Sequence, residues 1–169
     1  MGKLTYEPLS AEHEFLAFSC GDSNIDNYIK KEAYADQCRA ISSTTVVKYE
    51  GKIVGVFTTR CTQIEIQNEE KVSSGIYYDR YWPAIEVTYF AIDKNYQNQG
   101  FGMKMLKHLI LRVVITTQWL GVKYIFLWSV PNAIAFYEKL GFEKTDILEK
   151  STNTAMRFLL PEYNELFKK

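Results

Sequence analysis

The chain has 169 residues, with 20 Lys and Arg balanced by 20 Asp and Glu. Its hydrophobic fraction of 47% and charged fraction of 24% are ordinary for a globular protein, and they exclude collagen-like, low-complexity and disordered classes. The length suits a single domain over residues 1–169, and zero net charge excludes a broad cationic footprint for nucleic acid.

The opening run Met1–Glu7 lacks the apolar stretch of a signal peptide. The most apolar segment, Leu109–Ile115, is far shorter than a membrane span. A cytoplasmic protein with no membrane partner is therefore expected. Cys20, Cys38 and Cys61 form no CxxC pair, and only His13 and His108 could join them. The expectation is no metal site, with free, buried thiols in a reducing cytosol.

Lys3–Leu9 reads as a short strand ended by Pro8. Asp22 or Ser23 is suited to cap a helix, and Ile25, Tyr28, Ile29 and Ala33 recur at helical spacing, predicting one amphipathic helix over Asn24–Gln37. The β-branched run Ser43–Tyr49, the turn Glu50-Gly51 and the run Lys52–Thr59 predict a hairpin. Gln63–Pro83 has no clear period and reads as an irregular connection. Ile85–Ile92 is strongly β-prone. Leu106, Leu109, Ile110, Val113 and Val114 then mark a second helix, with Lys104, Lys107, His108 and Arg112 on its other face. A strand over Lys123–Val130 follows. Pro131-Asn132 opens a short helix, with Asn132 as a cap and Gly141 as its stop. Phe142–Ile147 and Thr154–Leu160 close the chain as an antiparallel pair. This order predicts a mixed α/β fold with one parallel crossover in the middle of its sheet.

The segment with the clearest chemistry is Gln97-Asn98-Gln99-Gly100-Phe101-Gly102, between a strand and a helix. Glycines there let the backbone approach a ligand, and the N–H groups and dipole of the helix start favour an anion such as a pyrophosphate. From Lys94 to Tyr137 there is no Asp or Glu, while Lys94, Lys104, Lys107, Arg112 and Lys123 all fall in that stretch. The result is a local positive field around the glycine turn within a neutral chain.

Gln97-x-x-Gly100-x-Gly102 resembles the acetyl-CoA pyrophosphate loop of the GNAT superfamily of N-acetyltransferases. Asn132–Phe142, with Ala135-x-Tyr137-x-x-x-Gly141-Phe142, resembles that superfamily's last helix and turn. The resemblance covers roughly Lys48–Leu160. It implies a mixed sheet of six to seven strands with a splayed parallel central pair, here Ile85–Ile92 and Lys123–Val130, and about four helices. It implies acetyl-CoA as cosubstrate and a primary amine as acceptor, attacking the thioester directly. Phe90, Ala91 and Ile92 would meet the pantetheine arm through their main chain. The N–H groups of Gln97, Asn98, Gln99, Gly100, Phe101, Gly102 and Met103 would hold the pyrophosphate, with Lys94 or Lys104 adding charge, and Asn132 would reach the arm near the thioester.

Two obstacles face the reaction. An alkylammonium must lose a proton before attacking, and the leaving thiolate is helped by gaining one. Tyr137 stands where the superfamily often places a tyrosine beside the thioester sulfur, which makes it the candidate acid. Glu86, in the run Glu86–Ile92, resembles the catalytic glutamate of the histone-acetyltransferase branch and is the candidate base, with a water chain as the alternative. Alternation places Glu86, Thr88 and Phe90 on one strand face.

The N-terminal pattern Phe18-x-Cys20-Gly21-x-x-x-Ile25-x-x-Tyr28-Ile29-x-x-x-Ala33-x-x-x-Gln37 resembles a branch that includes toxin-antitoxin acetyltransferases. Those toxins acetylate the amino group of aminoacyl-tRNA and are silenced by a small antitoxin. Tyr89, where that branch usually carries Arg, and Glu86 depart from its pattern. An ordinary amine acetyltransferase is therefore the main expectation. A tRNA-directed toxin with an antitoxin partner and a non-catalytic acyl-CoA-binding module are the alternatives. The aromatic-rich chain also allows a homodimer.

Overall fold

The computed structural model describes residues 2–65, 81–145, 147, 152–162 and 165. The strands are β1 (Leu4–Pro8), β2 (Ser43–Tyr49), β3 (Lys52–Glu65), β4 (Tyr81–Ile92), β5 (Tyr124–Ser129), β6 (Glu143–Lys144) and β7 (Thr154–Leu159). The helices are α1 (Ser23–Lys31), α2 (Ala33–Cys38), α3 (Phe101–Thr116) and α4 (Ile134–Glu138). The hydrogen-bonded strand order is β1-β2-β3-β4-β5-β7-β6, with β4 and β5 parallel, in agreement with the expected mixed α/β sheet. The chain folds as two compact units, Met1–Arg60 with Val87–Leu109 and Cys61–Glu86 with Ile110–Lys169. The strands β3 and β4 and the helix α3 each contribute residues to both.

In the first unit, β1 and β2 pair antiparallel from Leu4↔Tyr49 to Pro8↔Thr45. The hairpin β2–β3 closes at Tyr49↔Lys52. Its two turn residues both hold positive φ, 50° at Glu50 and 78° at Gly51, the backbone a two-residue hairpin turn needs to match strand twist. The core gathers Leu9, Phe15, Phe18, Ile29, Ala33, Val46, Val56 and Ala91. Gly55 of β3 is required by packing. A Cβ there would stand 2.6 Å from Met105 Sδ and 2.8 Å from Ala91 O.

The single helix expected over Asn24–Gln37 is two. Asp22 caps α1 by accepting from the N–H groups of Asn24 and Ile25. The backbone swings to φ −118° at Glu32, and α2 begins at the fully buried Ala33. Tertiary hydrogen bonds hold the second piece in its own direction. Gln37 donates to Leu9 O and accepts from Thr44 N–H, while Tyr28 Oη donates to Asp36.

In the second unit, β5 and β7 pair antiparallel from Tyr124↔Leu159 to Ser129↔Thr154, and β6 adds to β7 through Glu143↔Arg157. Ile64, Ala84, Tyr124, Phe126 and Ala155 form its core, with Trp82 and Ile147 against it. The connection expected over Gln63–Pro83 begins and ends in strand, because β3 runs to Glu65 and β4 starts at Tyr81. Residues 66–80 of that expectation lie outside the described residues. Gly141 stops α4 at φ 87° as expected. Asn132 does not cap it. Pro131–Ala133 forms a 3-10 turn first, and the residue preceding α4 is Ala133, with no side-chain cap.

No helix among the described residues is long and apolar enough to cross a membrane. The cysteines are free, but the expectation that they are buried is corrected: Cys38 and Cys61 are exposed and Cys20 is half-buried. Cys38 ends a short surface helix, and Cys61 lies on a stretch of β3 whose residues Arg60–Thr62 are largely solvent-facing.

Candidate active site

The loop between β4 and α3 belongs to the first unit. After Ile92, Asp93 caps the 3-10 turn Lys94–Tyr96 by accepting from the N–H of Asn95. The chain then turns through Asn98 at φ 59° and Gly100 at φ 81°. Nothing lies within 4 Å of a Cβ built on Gly100, so the glycine is there for its backbone angle and not for packing. Phe101 begins α3, which places Gly102 inside the first helical turn. The N–H groups of that turn have no acceptor within the helix, and the turn carries no acidic residue. Lys94 and Lys104 are exposed beside it. Open main-chain donors, positive helix-end potential and two exposed ammonium groups are the donor set a diphosphate requires, so acetyl-CoA fits these residues.

Side chains in the loop divide by task. Gln97 donates through Nε2 to Cys20 O at 2.9 Å and to Ile92 O at 3.0 Å. Gln99 donates to Asn95 O at 2.8 Å. Both side chains are engaged with main-chain carbonyls of the protein. Phe101 is buried and meets Tyr49 at 5.2 Å and Tyr96 at 5.7 Å, both edge-on. It anchors the helix start, with Lys104 Nζ 5.8 Å from its ring. Tyr49 and Tyr96 were not singled out from the sequence, since an aromatic triad drawn from three separate segments leaves no periodic trace. On β4 itself, Ala91 is buried, Ile92 is half-buried, and Phe90 is half-buried and stacked against Phe57 at 6.4 Å. Thr88 donates to Thr58 O at 3.3 Å.

A second aromatic feature of the first unit also escaped the sequence reading. Tyr28 of α1 stacks on Tyr89 of β4 with ring centroids 4.1 Å apart. Burial raises both phenols above their ordinary value.

Glu86, Asn132 and Tyr137 lie in the second unit. Glu86 is 8% exposed on β4. Tyr137 sits on α4 against Phe136 and Phe142, at 5.0 and 5.6 Å between rings. Burial pushes its phenol up to about 12, so it stays protonated throughout the neutral range, the state an acid needs. Asn132 is exposed on the 3-10 turn. Burial pushes the Cys20 thiol up to about 11, which disfavours its thiolate at neutral pH. Among the described residues, no group of three or more His, Cys, Asp or Glu is placed to hold a metal.

Comparison with known proteins identifies the family. Residues 40–144 match the model of the acetyltransferase (GNAT) domain. The chain is 25% identical over 136 residues to the tRNA-acetylating toxin of Mycobacterium tuberculosis (strain ATCC 25618 / H37Rv), covering 80% of this chain and 81% of the relative. It is 42% identical over 67 residues to the [ribosomal protein bS18]-alanine N-acetyltransferase of Escherichia coli (strain K12), covering 37% and 43%. The solved structure of AtaT complexed with acetyl-methionyl-tRNAfMet shares its fold, with a TM-score of 0.79 at 21% identity over 93% of this chain and 95% of that one. The chain belongs to the GNAT acetyltransferase family, and its reaction is transfer of an acetyl group from acetyl-CoA to an amine.

Proposed function

We propose that the acceptor is the α-amino group of an aminoacyl-tRNA. The observation that carries this reading is the extent of the match to the tRNA-acetylating toxin, which spans four-fifths of both chains, whereas the match to the ribosomal-protein acetyltransferase spans 67 residues. The acid-free stretch Lys94–Tyr137, with its five cations, gives a polyanionic acceptor somewhere to dock despite the neutral total. An enzyme of this kind works in the cytoplasm and is paired with an antitoxin that silences it.

The chain's own residues divide the work as follows. The N–H groups of Gln97–Met103 bind the diphosphate, helped by Lys94 and Lys104, and the main chain of Phe90–Ile92 orients the pantetheine arm. Glu86 accepts a proton from the attacking amine. An α-amino group has a pKa of about 8, so a useful fraction is already neutral and the demand on Glu86 is modest. Tyr137 delivers its proton to the departing thiolate, and Asn132 contacts the arm near the thioester. The buried, protonated phenol of Tyr137 supports the acid role.

The second reading is a protein N-terminus as acceptor, favoured by the higher local identity to the alanine N-acetyltransferase. A CoA-thiol release assay with aminoacyl-tRNA, an alanine-led peptide, free amino acids and a polyamine separates them. Turnover with aminoacyl-tRNA at least tenfold above the others is expected. Turnover with the peptide alone selects the second reading, and acetyl-CoA binding without turnover on any amine makes the chain a binding module.

A further inference from the structure

We propose that Asp93 and Gln97 are positioning residues for acetyl-CoA, which hold the diphosphate loop in its binding shape by tying it to Ser19 and Cys20. This rests on the assignment of that loop to acetyl-CoA above.

The segment just ahead of α1 is clamped from two sides. On the helix side, Asp26 accepts from Cys20 N–H at 2.9 Å and from the Ser19 hydroxyl at 2.7 Å. On the loop side, Asp93 Oδ2 accepts from Ser19 N–H at 3.0 Å, and Lys94 N–H returns a bond to Ser19 O at 2.9 Å. Gln97 closes the tie by donating to Cys20 O and to Ile92 O. The other oxygen of Asp93 accepts both the N–H and the side-chain amide of Asn95, each at 2.9 Å.

Asp93 is 3% exposed and stands immediately ahead of the loop assigned to a diphosphate. A buried carboxylate there opposes anion binding electrostatically, and what it offers in return is shape. One carboxylate accepts three N–H donors from two chain segments, an arrangement that an amide of the same outline, with one acceptor oxygen and one donor nitrogen, cannot reproduce. Gln97 is exposed, yet it spends both bonds on main-chain carbonyls. The loop they frame includes a non-glycine residue at positive φ, Asn98, a conformation that an untethered loop relaxes. When the tie is cut, acetyl-CoA must select the competent shape from a mixture, and its apparent Kd rises by the inverse of the competent fraction. The bound state is unchanged, so kcat is spared.

The test uses the full chain with Gln97→Leu and Asp93→Asn. Gln97→Leu acts at an exposed site and keeps the test open should Asp93→Asn fail to fold. Calorimetry with CoA, amide hydrogen exchange over residues 97–103 without ligand, and KM and kcat for acetyl-CoA are measured. The proposal expects a rise of about tenfold in both Kd and KM, faster exchange in the loop, and kcat within about twofold of wild type. Unchanged Kd in a folded variant overturns it, as does a fall in kcat with KM unmoved. Absence of CoA binding by the wild type overturns the loop assignment instead.

Discussion

Tyr137 and Phe142 meet ring to ring at 5.6 Å, and the N–H of Phe142 donates to the carbonyl of Tyr137 at 3.3 Å. The turn that ends α4 thus packs one aromatic directly on the candidate acid and supplies part of the apolar surround that keeps its phenol neutral. Tyr137→Phe keeps that packing and removes the proton. We expect kcat to fall about 100-fold, with the KM for acetyl-CoA within about twofold. An unchanged kcat removes Tyr137 from the acid role.

The same phenol gives a signed stability prediction. Its pKa is raised in the folded state, to about 12 from 10.0, so its contribution is complete below pH 10 and is lost as pH rises toward 12. Two units correspond to about 3 kcal/mol as an order of magnitude. Urea melts at pH 8 and pH 11.5 should show a larger alkaline loss for wild type than for Tyr137→Phe. Equal losses contradict the burial argument.

Glu86→Gln keeps the shape of a side chain that is 8% exposed and removes its basicity. We expect kcat/KM to fall about 100-fold at neutral pH and to recover as pH rises, displacing the pH–rate profile upward. A profile superimposable on wild type assigns the proton to water.

Gly102→Glu places a carboxylate in the first turn of α3, where the donor set favours an anion. CoA affinity measured by calorimetry should fall at least ~100-fold through bulk and like charge, with the melting temperature little changed. Tight binding by this variant contradicts the placement of the loop.

Cys20 holds its thiol at about 11, so its thiolate is scarce at neutral pH, while Cys38 and Cys61 are exposed. Iodoacetamide followed by mass spectrometry should label Cys38 and Cys61 well ahead of Cys20, and Cys20→Ser should retain activity. Preferential labelling of Cys20 reverses the assignment.

Local signals carried much of the fold. The Glu50-Gly51 turn between two β-branched runs specified the hairpin, and the 3.6-residue recurrence from Leu106 to Val114 specified α3. The glycines at 100 and 102, with the acid-free stretch beside them, pointed to the candidate anion site. What escaped depends on contacts between distant segments. The break at Glu32 goes with Gln37 bridging Leu9, just past β1, and Thr44 of β2. The early start of β4 was masked by Pro83, a residue that argues against a strand, yet whose carbonyl accepts from Lys123 N–H at 2.9 Å. His108 was read with the polar face of α3 and instead lies flat on Tyr6, 3.6 Å between rings. The clamp on Ser19 and Cys20 was equally hidden, because a main-chain carbonyl has no signature in a sequence.

The most direct measurement is calorimetric titration of the wild-type protein with CoA and, separately, with pantetheine, which has the arm but no diphosphate. Micromolar binding of CoA, with pantetheine at least ~100-fold weaker, is the result expected if main-chain amides at the start of α3 grip the diphosphate. Equal affinities, or no heat with CoA, would contradict it.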